Sequence, residues 1–269
     1  MYLLLDLNPV AFHIGPLAVR WYGIFMAISF LLGAWYLYRE GLRRGLAEDF
    51  LLNLAMIVVV AGVAGARLLF VLANYPEWFV REPVQVLKIY EGGLAWHGGL
   101  LGGVLAGWWY VRLHKKEFNV LADLAVPGLA LGYAMIRIAN VFNQEVLGRP
   151  TDFWFGRWPA QPIGTLIGLV LLLRYFYLER KDPPPGYQFW SFIFYHQLLR
   201  GLIEETVREN SLEVWGYVVP HWGLGFFTLA QLTTPLIMLL AYYFMRKARL
   251  KGPSRGGSYR LTLFPRPKP

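Results

Sequence analysis

Seven apolar runs, near residues 17–38, 50–73, 92–113, 119–142, 161–178, 187–207 and 222–245, dominate the chain. Each is close to the roughly 17–25 residues a helix needs to cross a bilayer. Backbone surrounded by lipid must satisfy its own hydrogen bonds, so runs of this length are expected as helices. The expected fold is all-α: a polytopic membrane protein of about seven transmembrane helices, with residues 1–250 as one transmembrane domain. Composition agrees, because 56% of the 269 residues are hydrophobic and 17% aromatic, far more apolar than a soluble domain of this length.

The segments between the runs alternate in basicity. Arg39, Arg43 and Arg44 form one group, Arg112, Lys115 and Lys116 a second, Arg174, Arg180 and Lys181 a third, and residues 246–268 a fourth. The intervening segments hold only Arg81, Lys88, Arg149, Arg157 and Arg208, and the first sixteen residues contain no Lys or Arg. Positively charged loops face the cytoplasm, which places the N-terminus outside and the C-terminus inside. The net charge of +9 is thereby explained by cytoplasmic loops, and no nucleic-acid partner is expected. Residues Met1–Pro16 lack a basic leader and a cleavage site and are expected along the outer interface. The loop Asn74–Glu91, with Pro76, Trp78, Phe79 and Tyr90, is expected at headgroup depth. The basic tail, 251–269, is expected to be disordered.

On this threading Arg67, Arg137 and Arg200 lie inside apolar runs near the same, outer end. A charge at the centre of a membrane helix costs about 2.5–3.5 kcal/mol on the insertion scale, so three in one leaflet imply an anionic partner, best supplied by a lipid phosphate. Arg200 and Glu204 are four apart and are expected to pair on one helix face. Arg137, Asn140 and Asn143 follow at three-residue steps, which aligns a guanidinium with two amides. Such a face suits a phosphodiester, because the planar fork of arginine matches paired oxygens. Glu145 and Glu204 are candidate partners for the arginines, and Tyr22 and His97 open their runs from the same side.

His97 is embedded in glycines, Glu91-Gly-Gly-Leu-Ala-Trp-His97-Gly98-Gly99-Leu-Leu-Gly102-Gly103, that permit close approach of backbone or lipid. The other histidines show no metal-ligand spacing, and no nucleotide-binding motif or serine elbow is present, so neither metal nor cofactor is expected. The chain contains no cysteine, so any thiol in its chemistry belongs to a substrate.

These residues resemble the bacterial phosphatidylglycerol–prolipoprotein diacylglyceryl transferase family over nearly the whole chain. The resemblance rests on Arg20-Trp21-Tyr22-Gly23, on His97-Gly98-Gly99-Leu100 and on the stretch from Arg137 to Gly148. That stretch resembles the family signature Gly-Arg-x-Gly/Ala-Asn-Phe-x-Asn-x-Glu-x-x-Gly in Arg137, Ala139, Asn140, Asn143, Glu145 and Gly148. Arg200 with Glu204, and Gln231-Leu232 to Pro235, match further family elements. Departures are Ile136 in place of the first glycine of the signature, Val141 in place of its phenylalanine, His196 in place of a tyrosine one turn before Arg200, and Trp158-Pro159-Ala160-Gln161-Pro162-Ile163-Gly164 in place of His-Pro-Ser-Gln-Leu-Tyr-Glu.

The resemblance implies transfer of a diacylglyceryl group from phosphatidylglycerol to the lipobox cysteine of a prolipoprotein signal peptide, at the outer leaflet of a bacterial inner membrane. The expected catalytic residues are His97 as base, with Arg137 and Arg200 on the phosphate. Tyr22, Arg67, Asn140, Asn143, Glu145, Gly148 and Glu204 are expected to bind or orient substrate. The competing reading is a non-catalytic phospholipid-binding or lipid-moving protein derived from the same family.

Overall fold

The computed structural model describes residues 7–15, 17–89, 92–209 and 216–250; the expected disordered tail, Tyr90 and Glu91 lie outside them. Among the described residues ten α-helices follow two short strands: α1 Trp21–Arg43, α2 Glu48–Asn74, α3 Trp78–Arg81, α4 Pro83–Leu87, α5 Trp96–Leu113, α6 Phe118–Asn143, α7 Ala160–Glu179, α8 Tyr187–His196, α9 Glu205–Val207 and α10 Leu229–Leu250. A π-helical segment, Gln197–Glu204, joins α8 to α9.

All seven apolar runs contain a helix, and among the described residues α1, α2, α6 and α7 are long and apolar enough to cross a membrane. The other three dilute their apolar character. Glycines do so in α5, the π segment interrupts α8, and Gln231, Thr233 and Thr234 lie in α10.

The all-α expectation needs one correction. Val10–Ile14 (β1) and Leu17–Arg20 (β2) pair antiparallel, as do Tyr217–Val219 (β3) and Leu224–Phe226 (β4). Gly15 at φ 58° and Gly223 at φ 60° occupy the left-handed region that the reversals between these strands use, which turns chain that hydropathy alone assigns to helix. The first long helix accordingly starts at Trp21 and the last at Leu229.

The chain divides into two compact units, the first formed by residues 1–37 and 122–269. In it α1 meets α6 through glycines, where a Cβ on Gly33 would lie 2.9 Å from Gly128 Cα, and Trp21 stacks on Phe142 at 5.2 Å. Val126, Ala130, Ile167, Leu171, Tyr175 and Phe192 form the core among α6, α7 and α8. Asp123 of α6 caps α8 from a distance, its carboxylate accepting from Gly186 N (2.6 Å) and Phe189 N (2.7 Å). These two bonds satisfy amides that the first turn of a helix leaves without intrahelical partners.

The second unit, residues 38–121, is built on the pairing of α2 with α5. Gly65 and Gly102 meet backbone of the facing helix, and Gly98 sits against Gly65 O with Leu69 Cβ beside it. Small residues of this kind let helices in lipid approach until backbone touches backbone.

Candidate active site

The π segment reorganises the charges expected on its face. Glu205 N donates to Arg200 O, a bond from residue i+5 to residue i. The wider turn moves position 204 off the face of Arg200 and brings position 205 onto it. Arg200 therefore pairs with Glu205 (3.2 Å), not with Glu204, and Glu204 pairs with Arg137 of α6 (2.8 Å). Both glutamates are fully buried.

Arg137, 6% exposed, is held from every side. Its Nη2 also donates to Tyr133 Oη (3.2 Å), and its guanidinium lies 4.9 Å from the centre of the Tyr133 ring. The Tyr133 hydroxyl in turn donates to Glu204, and His196 packs edge-on against the ring at 4.7 Å. With its amide assigned in the orientation that its neighbours satisfy, Asn140 accepts from Arg137 Nη1 (3.2 Å) and donates to Glu145 Oε2 (3.3 Å), so one polar chain runs from Tyr133 to Glu145. Gly164 of α7 makes room for it, since a Cβ there would lie 2.7 Å from Arg137 Cδ, Cγ and Nε.

Besides the ion-paired Glu204 Oε1, two polar atoms of this constellation are buried without a hydrogen-bond partner among the described residues: the Arg137 Nε donor and the Asn143 Oδ1 acceptor. Glu145 is flanked by Gln144 (φ 56°) and Val146 (φ 55°). A β-branched residue in the left-handed region is a strained conformation of the sort that persists where its surroundings over-determine it. Gln161 helps, its amide donating to Glu145 O (2.9 Å). Tyr22 of α1 lies within electrostatic reach of Glu145 and Arg137.

Glu205 is shared, forming ion pairs with Arg200 and, at 3.7 Å, with Arg208, so this trio carries net positive charge. Burial, offset in part by Glu205, holds the Arg208 guanidinium below the ordinary arginine range, with Arg137 and Arg200 adding repulsion. Gly148 faces protein instead of open space. Its carbonyl accepts from Arg157 (2.6 Å), and a Cβ would run into Trp158 O.

Arg67 and His97 belong to the second unit. Arg67, expected to face a lipid phosphate, spends its donors on backbone: Val86 O (2.9 Å), Gly92 O (2.6 Å), Gly93 O (3.2 Å) and Gln85 O (2.6 Å). Gly92 (φ 91°) and Gly93 (φ 77°) adopt conformations that favour glycine where their carbonyls meet the guanidinium. Ala95 N then donates to Ala66 O (2.9 Å), and His97 follows in the first turn of α5 with its side chain exposed. Arg67 thus anchors the segment leading into His97. Arg67→Ala strands four part-buried carbonyls at up to about 1–3 kcal/mol each, and faster proteolysis within residues 82–95 is the expected result. Arg67→Lys, with three donors on one nitrogen, restores protection only in part.

Tyr133, Glu205 and Gly164 were missed from sequence. Tyr133 carried a signal, lying four residues before Arg137 on the same helix face. Glu205 and Gly164 carried none, because one depends on the π turn and the other on contact between helices.

The pattern of the family described as prolipoprotein diacylglyceryl transferase matches residues 9–246. A protein of Thermoanaerobacter sp. (strain X514) named phosphatidylglycerol–prolipoprotein diacylglyceryl transferase is 62% identical over 242 residues, 90% of this chain and 94% of its own. One of the same name from Caldanaerobacter subterraneus subsp. tengcongensis is 60% identical across 93% of this chain and 97% of its own. The Thermus thermophilus protein of that name is 34% identical across 87% and 96%. Identity at this level over about nine-tenths of the chain, with a family pattern matching residues 9–246, shows that the chain belongs to the prolipoprotein diacylglyceryl transferase family.

Proposed function

We propose that this membrane protein transfers the diacylglyceryl group of phosphatidylglycerol to the lipobox cysteine thiol of a prolipoprotein. The sulfur attacks the glyceryl carbon that bears the phosphate, an S–C bond forms, the C–O bond breaks, and glycerol phosphate leaves with the bonding pair. The observation that carries the reading is the buried chain Tyr133–Glu204–Arg137–Asn140–Glu145 in a member of this family. Its unpartnered groups suit the lipid headgroup. The Arg137 Nε donor matches a phosphate oxygen, and the Asn143 acceptor matches a headgroup hydroxyl.

Arg200, more exposed than Arg137, takes the phosphate and stabilises the charge growing on the leaving group. Arg137 orients the headgroup; Tyr22, Asn140 and Asn143 contribute hydrogen bonds. Glu145, Glu204 and Gly148 shape the protein around the arginines, and Arg67 positions the His97 segment. His97 takes the thiol proton. Cations that favour thiolate ease that transfer. We place the chain in a bacterial inner membrane as seven crossings with the N-terminus outside and the site toward the outer leaflet. This reading is supported by the helix in each apolar run and by the alternation of loop charge.

The test incubates the purified protein with phosphatidylglycerol and a lipobox peptide, measuring peptide mass and released glycerol phosphate. A diacylglyceryl mass gain, lost in Arg137→Ala, is expected. Phosphatidylglycerol retained intact with no gain would establish a lipid binder instead. His97→Gln is expected to reduce transfer by about 10²–10⁴-fold, the usual contribution of a general base. An unchanged rate across pH would remove His97 from that role.

A further inference from the structure

At the far end of α5 from His97, an open-sided cavity of about 370 Å³ is lined by Trp108, Arg112, Lys115, Lys116 and Phe118. The exposed face of α5 is graded toward it. Leu100, Leu101, Val104 and Leu105 are exposed, Trp108 and Trp109 follow, and the three cations come last. Apolar side chains, then tryptophans, then lysines and arginine is the order in which a helix leaves hydrocarbon for the headgroup layer. The Arg112 guanidinium lies 5.6 Å from the centre of the Trp108 ring, and among the described residues no carboxylate pairs with Arg112, Lys115 or Lys116.

The backbone at this turn points the same way. Helix α1 ends with Gly45 N donating to Leu42 O (3.0 Å) and Leu46 N to Gly41 O (3.0 Å). Helix α5 ends with the same pair of bonds, Lys115 N to Arg112 O (3.0 Å) and Lys116 N to Val111 O (3.0 Å). This termination requires a left-handed residue, for which glycine is favoured. The first turn uses Gly45 (φ 75°), but the second places Lys115 there at φ 53°. A lysine thus occupies a position where glycine would relieve strain, and it lines the cavity.

We propose that this cavity binds the phosphate headgroup of an anionic phospholipid at the membrane face where α5 ends, with Arg112, Lys115 and Lys116 as its ligands and Trp108 and Phe118 flanking the glycerol region. The proposal rests on the bilayer placement of α5 given above and not on the transferase reaction. It predicts an opposition between fold stability and lipid retention at Lys115.

The full chain, reconstituted in phosphatidylcholine with or without phosphatidylserine, is followed by thermal unfolding and by native mass spectrometry of retained lipid. Transfer from phosphatidylglycerol is assayed in parallel. The expected result is a rise in melting temperature on adding phosphatidylserine, with retained lipid, in the unsubstituted protein. Lys115→Gly melts higher than that protein in phosphatidylcholine alone, yet loses both the rise and the retained lipid, as does Arg112→Gln/Lys116→Gln. Transfer persists in these variants, which separates failure of this site from failure of the proposed function. Lys115→Gly retaining the full lipid-dependent rise overturns the proposal. So does an equal rise produced by inorganic phosphate, which would make the cavity a general anion patch.

Discussion

Glu204→Gln is expected to cost about 3–5 kcal/mol of stability, because removing one member of a buried ion pair leaves the other charge uncompensated. The charge left behind is Arg137, which is 6% exposed and has Gly164 against its stem. Glutamine retains one acceptor, but Glu204 serves two donors, Arg137 Nη2 and the Tyr133 hydroxyl. Transfer, assayed well below the lowered melting temperature, is expected to fall by about 10²-fold, the usual consequence of misplacing a positioning group by about 1 Å. Tyr133→Phe removes both bonds of the hydroxyl, the one to Glu204 and the one from Arg137, but keeps the ring under the guanidinium and both charges, so its expected cost is nearer 1–3 kcal/mol. The double variant is expected to lose less than the sum, since the two changes act on one network. Denaturation of the four proteins checks this, and strict additivity would dissolve the network.

Gly98→Ala is the second large effect, and its internal control is Gly62→Ala. The two positions belong to the same contact between α5 and α2. A Cβ on Gly98 meets Gly65 O and lies 2.6 Å from Leu69 Cβ, so the helices must separate; a Cβ on Gly62 lies 3.5 Å from Gly99 O, an ordinary contact. Overpacking against backbone is expected to cost about 3 kcal/mol at Gly98, at the upper end of its usual range, and well under 1 kcal/mol at Gly62. Gly98 follows His97 directly, so its substitution is also expected to reduce transfer, whereas Gly62→Ala leaves transfer intact. Equal melting temperatures for the two variants would refute the close-packing account.

The glycines of the His97 block illustrate how far residue types carry an argument. From sequence they mark close approach of something to the backbone. The structure identifies that approach at Gly98, Gly99, Gly102 and Gly103 as the opposing helix α2. Arg67 makes a similar point. Hydropathy shows that a buried guanidinium needs acceptors, but carbonyls of residues 85–93 provide them, and only a folded loop brings those carbonyls to it.

The sequence by itself determined the membrane class, the helical runs, the family and the cluster Arg137, Asn140 and Glu145 on one stretch of chain. These follow from local composition and from spacing along a single helix, which bond geometry makes predictable. The tertiary structure alone decided which carboxylate meets which arginine. A π turn of eight residues exchanged the partners expected at four-residue spacing, giving Arg200–Glu205 and Arg137–Glu204. It also turned two reversals into β-hairpins and gave Gly164 to the side chain of Arg137. The physical reason is common to all three. A one-residue change in helical register, or a backbone-to-side-chain contact between helices, depends on packing between distant segments and leaves no periodic trace in the chain.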